Sequence, residues 1–421
     1  MKTLKLALGL SVLAGSARAD LPVGRGDVTL NLTTAATYDS NVFGTPNAQG
    51  DYYGTLTPQA VYVRQAGEIE ARANVAVAFE RYLDQTQLDA ANLDADASLR
   101  VSPDPTRNFS GSLEAAYVET SDVNTDVDAR IKAKTATFTG TSAWIAGPRT
   151  DFSFDASYSD IARDIASDQQ LLGSELIFDY KDFLGGDTLR LTGDYDEARS
   201  SGRNLLGADL DQNSYSLAAG LGRAFYHDVI QAWVSCGYRV LERSQAETSA
   251  GVTRQGGPIF LASLTGPFLP RKYFPKVKSR LELSYEDATT PGVDDPGEKE
   301  LTGALHLDWQ ARDTTAASFS ATRSQRLSAD DLTVVTSALQ LGVQQTLRYN
   351  LTGNLSAGYN WDTFHGIGRS DQTVLFSAGL NYVFARNWNA QALCQLGSAD
   401  SNVPQANYTR DIVTLSVAHQ F

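Results

Sequence analysis

Four histidines, His227, His306, His365 and His419, and two cysteines, Cys236 and Cys394, are the side chains best suited to hold a metal or start nucleophilic chemistry. Their spacing supports neither role. The sequence contains no HExxH, no paired CxxC, no GxSxG and no Walker loop, so it marks no zinc site and no activated nucleophile. The acidic runs VDD, DLD and ADD offer oxygen ligands without the spacing of a calcium loop, and they read as solvated loops. A serine and a histidine on distant strands could still meet in space, but no residue pattern points to such a pair. An enzyme is therefore not expected, and neither is a cofactor. The chemistry that does recur is electrostatic. Charges alternate with apolar residues: Glu70 and Arg72, Asp94 and Arg100, Arg190 and Asp194, then Lys276, Lys278, Arg280 and Glu282. Mixed charge of this kind packs a wall through salt bridges, yet so many ionised groups are hard to bury dry. They imply water beside them.

The same alternation defines the elements that carry these charges. In EIEARANVAVAFE, Ile69, Ala71, Ala73, Val75, Val77 and Phe79 form one face and Glu70, Arg72, Asn74 and Glu80 the other. PKVKSRLELSYED sets Val277, Leu281, Leu283 and Tyr285 against Lys276, Lys278, Arg280 and Glu282. A period of two is the mark of a β-strand with unlike faces, and each run is long enough to cross a bilayer as a tilted strand. A soluble two-sheet sandwich would alternate in the same way. Three features weigh against it: the runs exceed the usual strand length of about five or six residues, aromatics such as Tyr38, Tyr117, Tyr158, Tyr195, Tyr285, Tyr359 and Trp361 recur near run ends on the apolar face, and long connections alternate with short ones. Ten long and nine short connections give twenty strands; merging a hairpin between Thr125 and Trp144 would give eighteen. The expected fold is all-β, a single transmembrane antiparallel β-barrel of about 18–20 strands with no plug domain.

Both ends fit that expectation. Lys2 and Lys5 precede an apolar stretch from Leu6 to Ala14 and then Ala17-Arg18-Ala19, the pattern of a secretory signal peptide over residues 1–19 that leaves residues 20–421 as the barrel. No later segment reaches the roughly 18 apolar residues of a transmembrane helix. Two cysteines are too few for a disulfide scaffold. Alternation puts both on apolar faces of strands about eight apart, so they should remain free. A formal charge of −14, more negative once the leader is removed, disfavours nucleic acid as a partner. The final segment, DIVTLSVAHQF, places Val413, Leu415, Val417 and Phe421 on one face.

Those C-terminal residues resemble the signal by which the outer-membrane assembly machinery receives bacterial barrels. His419 departs from it at a place where such proteins more often carry an apolar or aromatic residue. The opening TTAATYDSNVFG, through Tyr38, Asp39, Asn41 and Val42, is similar to the start of the β-barrel porin family (β-barrel porin 2 type) often encoded with exopolysaccharide export systems. The resemblance implies a protein of the cell outer membrane of a Gram-negative bacterium, surrounded by lipid and working as a diffusion or export barrel.

These readings lead to a porin-like channel for passive passage of hydrophilic solutes, polysaccharide among them. Its wet lumen would be lined by Glu70, Arg72, Asp94, Arg100, Arg190, Asp194, Lys276, Lys278, Arg280 and Glu282. The acidic excess predicts weak cation preference, and Lys276, Lys278 and Arg280 would form a basic stripe. The alternative is a closed structural or binding barrel acting through long extracellular loops.

Overall fold

The structure, a computed structural model, describes residues 21–23, 25–101, 108–124, 126, 129–201, 210–226, 229–245, 253–269, 276–288, 298–329, 332–364 and 367–421. The expected leader, residues 1–19, and the histidines His227 and His365 lie outside the described residues.

The alternating runs form strands throughout. The first are β1 (Leu21–Val23), β2 (Gly26–Asp39), β3 (Asp51–Ala66), β4 (Ile69–Tyr82), β5 (Ala90–Val101), β6 (Phe109–Asn124) and β7 (Ala129–Gly147). Next come β8 (Thr150–Arg163), β9 (Asp168–Tyr180), β10 (Thr188–Ser201), β11 (Leu210–Phe225), β12 (Ile230–Gln245), β13 (Thr253–Thr265) and β14 (Val277–Ala288). The last are β15 (Glu298–Arg312), β16 (Thr315–Leu327), β17 (Thr333–Arg348), β18 (Leu351–Phe364), β19 (Arg369–Ala385), β20 (Trp388–Ser401) and β21 (Tyr408–Gln420).

Each strand from β2 to β21 pairs antiparallel with its sequence neighbours, and β21 returns to β2 with Gln420 facing Asn31 and Ile412 facing Asp39. Short β1 extends that seam, Leu21 facing Val28. The result is one closed barrel of twenty strands. Closure is what lipid demands, because an open sheet edge would leave backbone groups without partners. Twenty rather than eighteen strands result because β6 and β7 are distinct and pair from Phe109 with Trp144 to Asn124 with Ala129.

One face of the wall carries large apolar side chains that protein leaves mostly uncovered: Leu113, Leu217 and Leu415 are 63%, 69% and 60% exposed. Lipid is the solvent that suits them. Tyr38 and Tyr52 pack ring to ring on this face at one end, 4.7 Å apart, and Trp388, His419 and Phe421 do so at the other, with spacings of 4.2 and 4.5 Å. His419 thus fills an aromatic's place in the interfacial girdle. Cys236 on β12 and Cys394 on β20 are both free thiols, on strands eight apart.

The twenty strands of the ring, β2 to β21, run from 12 residues in β5 and β14 to 19 in β7, beyond the about 9–11 a membrane crossing needs. This corrects the expected loops. The polar stretch VETSDVNTDV, expected as a long connection, stays in β6 as far as Asn124, and only residues 125–128 link β6 to β7. Beyond the bilayer a strand no longer needs an apolar face, so its hydrogen-bond ladder continues without the alternation that marks it in sequence. The ten connections at the end away from Phe421 define the outer mouth, since short turns and both termini face the periplasm in such barrels.

Candidate functional site at the lumen and outer mouth

The residues expected on the inner wall fall into two groups. On β4 and β5, Glu70 faces Arg100 directly, Arg72 faces Ser98 and Asp94 faces Ala76. Beside them an amide chain crosses four strands: Asn31 donates to Gln59 at 3.1 Å, Gln59 to Asn74 at 2.8 Å and Asn74 to the Asp96 carboxylate at 2.8 Å. On the opposite wall Arg190, Asp194, Arg280 and Glu282 line a cavity of about 1310 Å³. Arg190 forks onto Asp179 at 2.8 and 2.7 Å and lies 4.0 Å above the Trp233 ring. Arg239 reaches past β13 to Glu286 at 2.8 Å, and Arg280 pairs with Glu282 at 2.8 Å. Each of these bases is thus committed to a carboxylate. Asp155, Glu175 and Asp194 meanwhile stand abreast on β8, β9 and β10, an arrangement that favours cations in this lobe. Lys276 stands apart from the other two members of the expected stripe. It precedes β14, in a turn with φ 63°, and faces Asp313 at 3.5 Å; Lys278 and Arg280 are on the strand itself.

Burial is concentrated elsewhere. The fully enclosed side chains Val42, Val334, Asn41, Asp39, Asp51, Ser167 and Ser328 all belong to the outer strand ends and their connections. Asp39 accepts from Arg410 at 2.8 Å, and Arg410 also donates to Asp122 at 3.0 Å. The Asp51 carboxylate accepts the Asp84 and Gln85 amides at 3.0 and 2.7 Å, which shapes the connection after β4. Residues 40–50 reach over to the tip of β6 and β7. There Val42 packs with Tyr82 and Leu88, and Arg130 donates to the Val42 carbonyl at 3.0 Å and the Tyr82 hydroxyl at 2.8 Å.

From the tip of the same hairpin Asp126 meets the far wall. Arg326 of β16 forks onto its two carboxylate oxygens at 2.8 Å each, the Ala329 amide donates to it at 3.1 Å, and Arg369 of β19 donates to its backbone carbonyl at 3.1 Å. β16 is nine strands beyond β7 in a ring of twenty, so this bridge spans the mouth. A second link runs parallel to it: the Ser167 amide donates to the Ala329 carbonyl at 3.3 Å and Gln169 to the Ser328 carbonyl at 2.7 Å. Burial by itself would raise the Asp126 pKa, but hydrogen bonds and charge from Arg326, the Ala329 amide and Arg369 outweigh it and hold the carboxyl below the usual aspartate range. Sequence reasoning missed Asp126, Arg326 and Arg369, which sit where polar loops were expected. Nothing in the local pattern couples two residues 200 positions apart.

Among the described residues no three His, Cys, Asp or Glu side chains converge as a metal site. Residues 292–421 match the family described as Putative beta-barrel porin 2. No curated protein matches the chain. Solved structures of the same fold include the ferric-catecholate import receptor Fiu of E. coli K12, with 9% identity over 93% of this chain and 81% of that one at a TM-score of 0.51. The ferric preacinetobactin receptor BauA of Acinetobacter baumannii shares 11% over 94% and 80%, TM-score 0.51. The ferric citrate transporter FecA shares 10% over 93% and 78%, TM-score 0.50. The chain is an outer-membrane β-barrel. These three structures are receptors and transporters of particular ferric compounds; the mouth of the present barrel is bridged by Asp126 and Arg326. The likeness to these structures overturns the expectation of a porin-like channel for passive passage, and polysaccharide export finds no support in it.

Proposed function

We propose that the barrel is a closed binding protein of the outer membrane that engages a hydrophilic solute selectively at its outer mouth. The observation that carries this reading is the Asp126–Arg326 bridge, a bidentate, charge-assisted pair between opposite walls. Residues 40–50 and the β6–β7 tip roof the neighbouring sector, and the fully enclosed side chains gather at this outer end. That receptors for specific ferric compounds share the fold supports selective binding over free diffusion. In this reading residues 1–19 are a cleaved leader and 20–421 the barrel. Glu70, Arg72, Asp94, Arg100, Arg190, Asp194, Lys278, Arg280 and Glu282 wall the lumen with Lys276 at its inner rim, and Val413, Leu415, Val417 and Phe421 present the last strand to the assembly machinery. Liposome swelling provides the test. Vesicles carrying the protein should not swell measurably in isotonic arabinose, and swelling at the rate of a general diffusion pore would reject the closed reading.

A further inference from the structure

The bridge has the form of a carboxylate receptor already occupied. The Arg326 guanidinium presents two parallel N–H groups at 2.8 Å and the Ala329 amide a third at 3.1 Å, all directed at one carboxylate. Planar two-point recognition of this kind is what arginine offers and lysine does not. The carboxylate in place comes from the four-residue connection 125–128, 200 positions away in sequence. The Arg326 side chain remains 38% exposed, which leaves part of it open to a solute. Among the described residues its other acidic neighbour, Asp362, stands at 3.8 Å, too far to replace Asp126 as a hydrogen-bonded partner. Arg369 is held by Asp371 at 2.7 Å and grips the Asp126 backbone rather than its carboxylate.

We propose that Arg326 and the Ala329 amide form a binding site for a carboxylate-bearing solute, and that Asp126 fills it as an internal stand-in until such a solute displaces it. The inference rests on the closed-mouth reading. It assigns the ligand a chemical class and makes its arrival the event that frees the β6–β7 tip. A ligand that must compete with the resident carboxylate binds with an affinity reduced by the fraction of molecules in which the site is vacant. Removing the resident should therefore tighten binding.

Calorimetric titration of the refolded full-length chain with citrate, against sodium chloride of matched ionic strength, tests this. Asp126→Asn, and Asp126→Ala as a second variant, should bind citrate about tenfold or more tightly than the unaltered chain, and adding Arg326→Gln to either should remove the gain. Circular dichroism checks the strand content of each variant. Equal affinity in the unaltered chain and both Asp126 variants would overturn the inference, as would a gain that survives Arg326→Gln. The closed-mouth reading is judged separately by swelling of the unaltered protein. An unswollen vesicle with unchanged citrate affinity would sink the site and spare the reading, whereas swelling would sink both.

Discussion

Asp126 holds the outer mouth together, and its protonation state decides whether it can. It faces Arg326 from β16 and Arg369 from β19, with Asp362 of β18 behind Arg326 and Asp371 behind Arg369. Its folded pKa is depressed, so its contribution is present above the unfolded value of about 3.9 and is lost as pH falls through the lower folded value. Hydrogen-exchange protection of the Ala329 amide, which donates to Asp126, should therefore hold from pH 7 to about 4 and fall only in stronger acid; loss near pH 5 would contradict the assignment. Single residues were legible where a strand sits in lipid. Leu415 and Val413 are exposed on the apolar face that their spacing predicts. His419 breaks the C-terminal pattern, yet it is only 7% exposed and packs between Trp388, tilted against it, and Phe421, edge-on to it, because an imidazole ring can pack where a phenyl would. Arg326 and Arg369 were not legible, since their partner is defined only by closure of the ring.

Among the elements, the β6–β7 hairpin departs most from its sequence pattern. Between Thr125 and Trp144 the alternation is poorest, and this is the hairpin whose tip crosses the mouth. A strand end that touches other parts of the protein on both sides has no reason to keep one face apolar. The connection 40–50 lies against it through Gly44, whose φ is 63° and where an added Cβ would sit 2.2 Å from a Val123 methyl. Gly44→Ala should lower stability by about 1–2 kcal/mol from the left-handed backbone alone, and should raise hydrogen exchange over residues 40–50 and 120–131. Unchanged exchange would show that this contact does not anchor the tip. The last strand tests the two-faced wall directly. Leu415→Arg puts a cation on the lipid face and should cost about 2–4 kcal/mol in reversible urea unfolding from lipid vesicles. Thr414→Arg, on the face where Thr414 meets Thr37 at 3.0 Å, should cost well under half as much. Equal losses would mean the faces are misassigned, since a one-residue slip exchanges them.

For the molecule as a whole, alternation and connection count led to a closed antiparallel barrel because both follow from lipid on one side and water on the other. Function was less legible. The inner charges Arg190, Asp194, Arg280 and Glu282 read equally well as the wall of an open pore or of a sealed one. What separates the two is the bridge from Asp126 to Arg326 and Arg369, a contact between distant strands that no local pattern encodes. The measurement that bears most directly on it is ion conductance across a planar bilayer at several potentials. The unaltered protein should stay silent, and Arg326→Gln, which leaves Asp126 without its fork, should show discrete open steps. Stable open steps from the unaltered protein, at the same amplitude as the variant, would contradict a closed mouth.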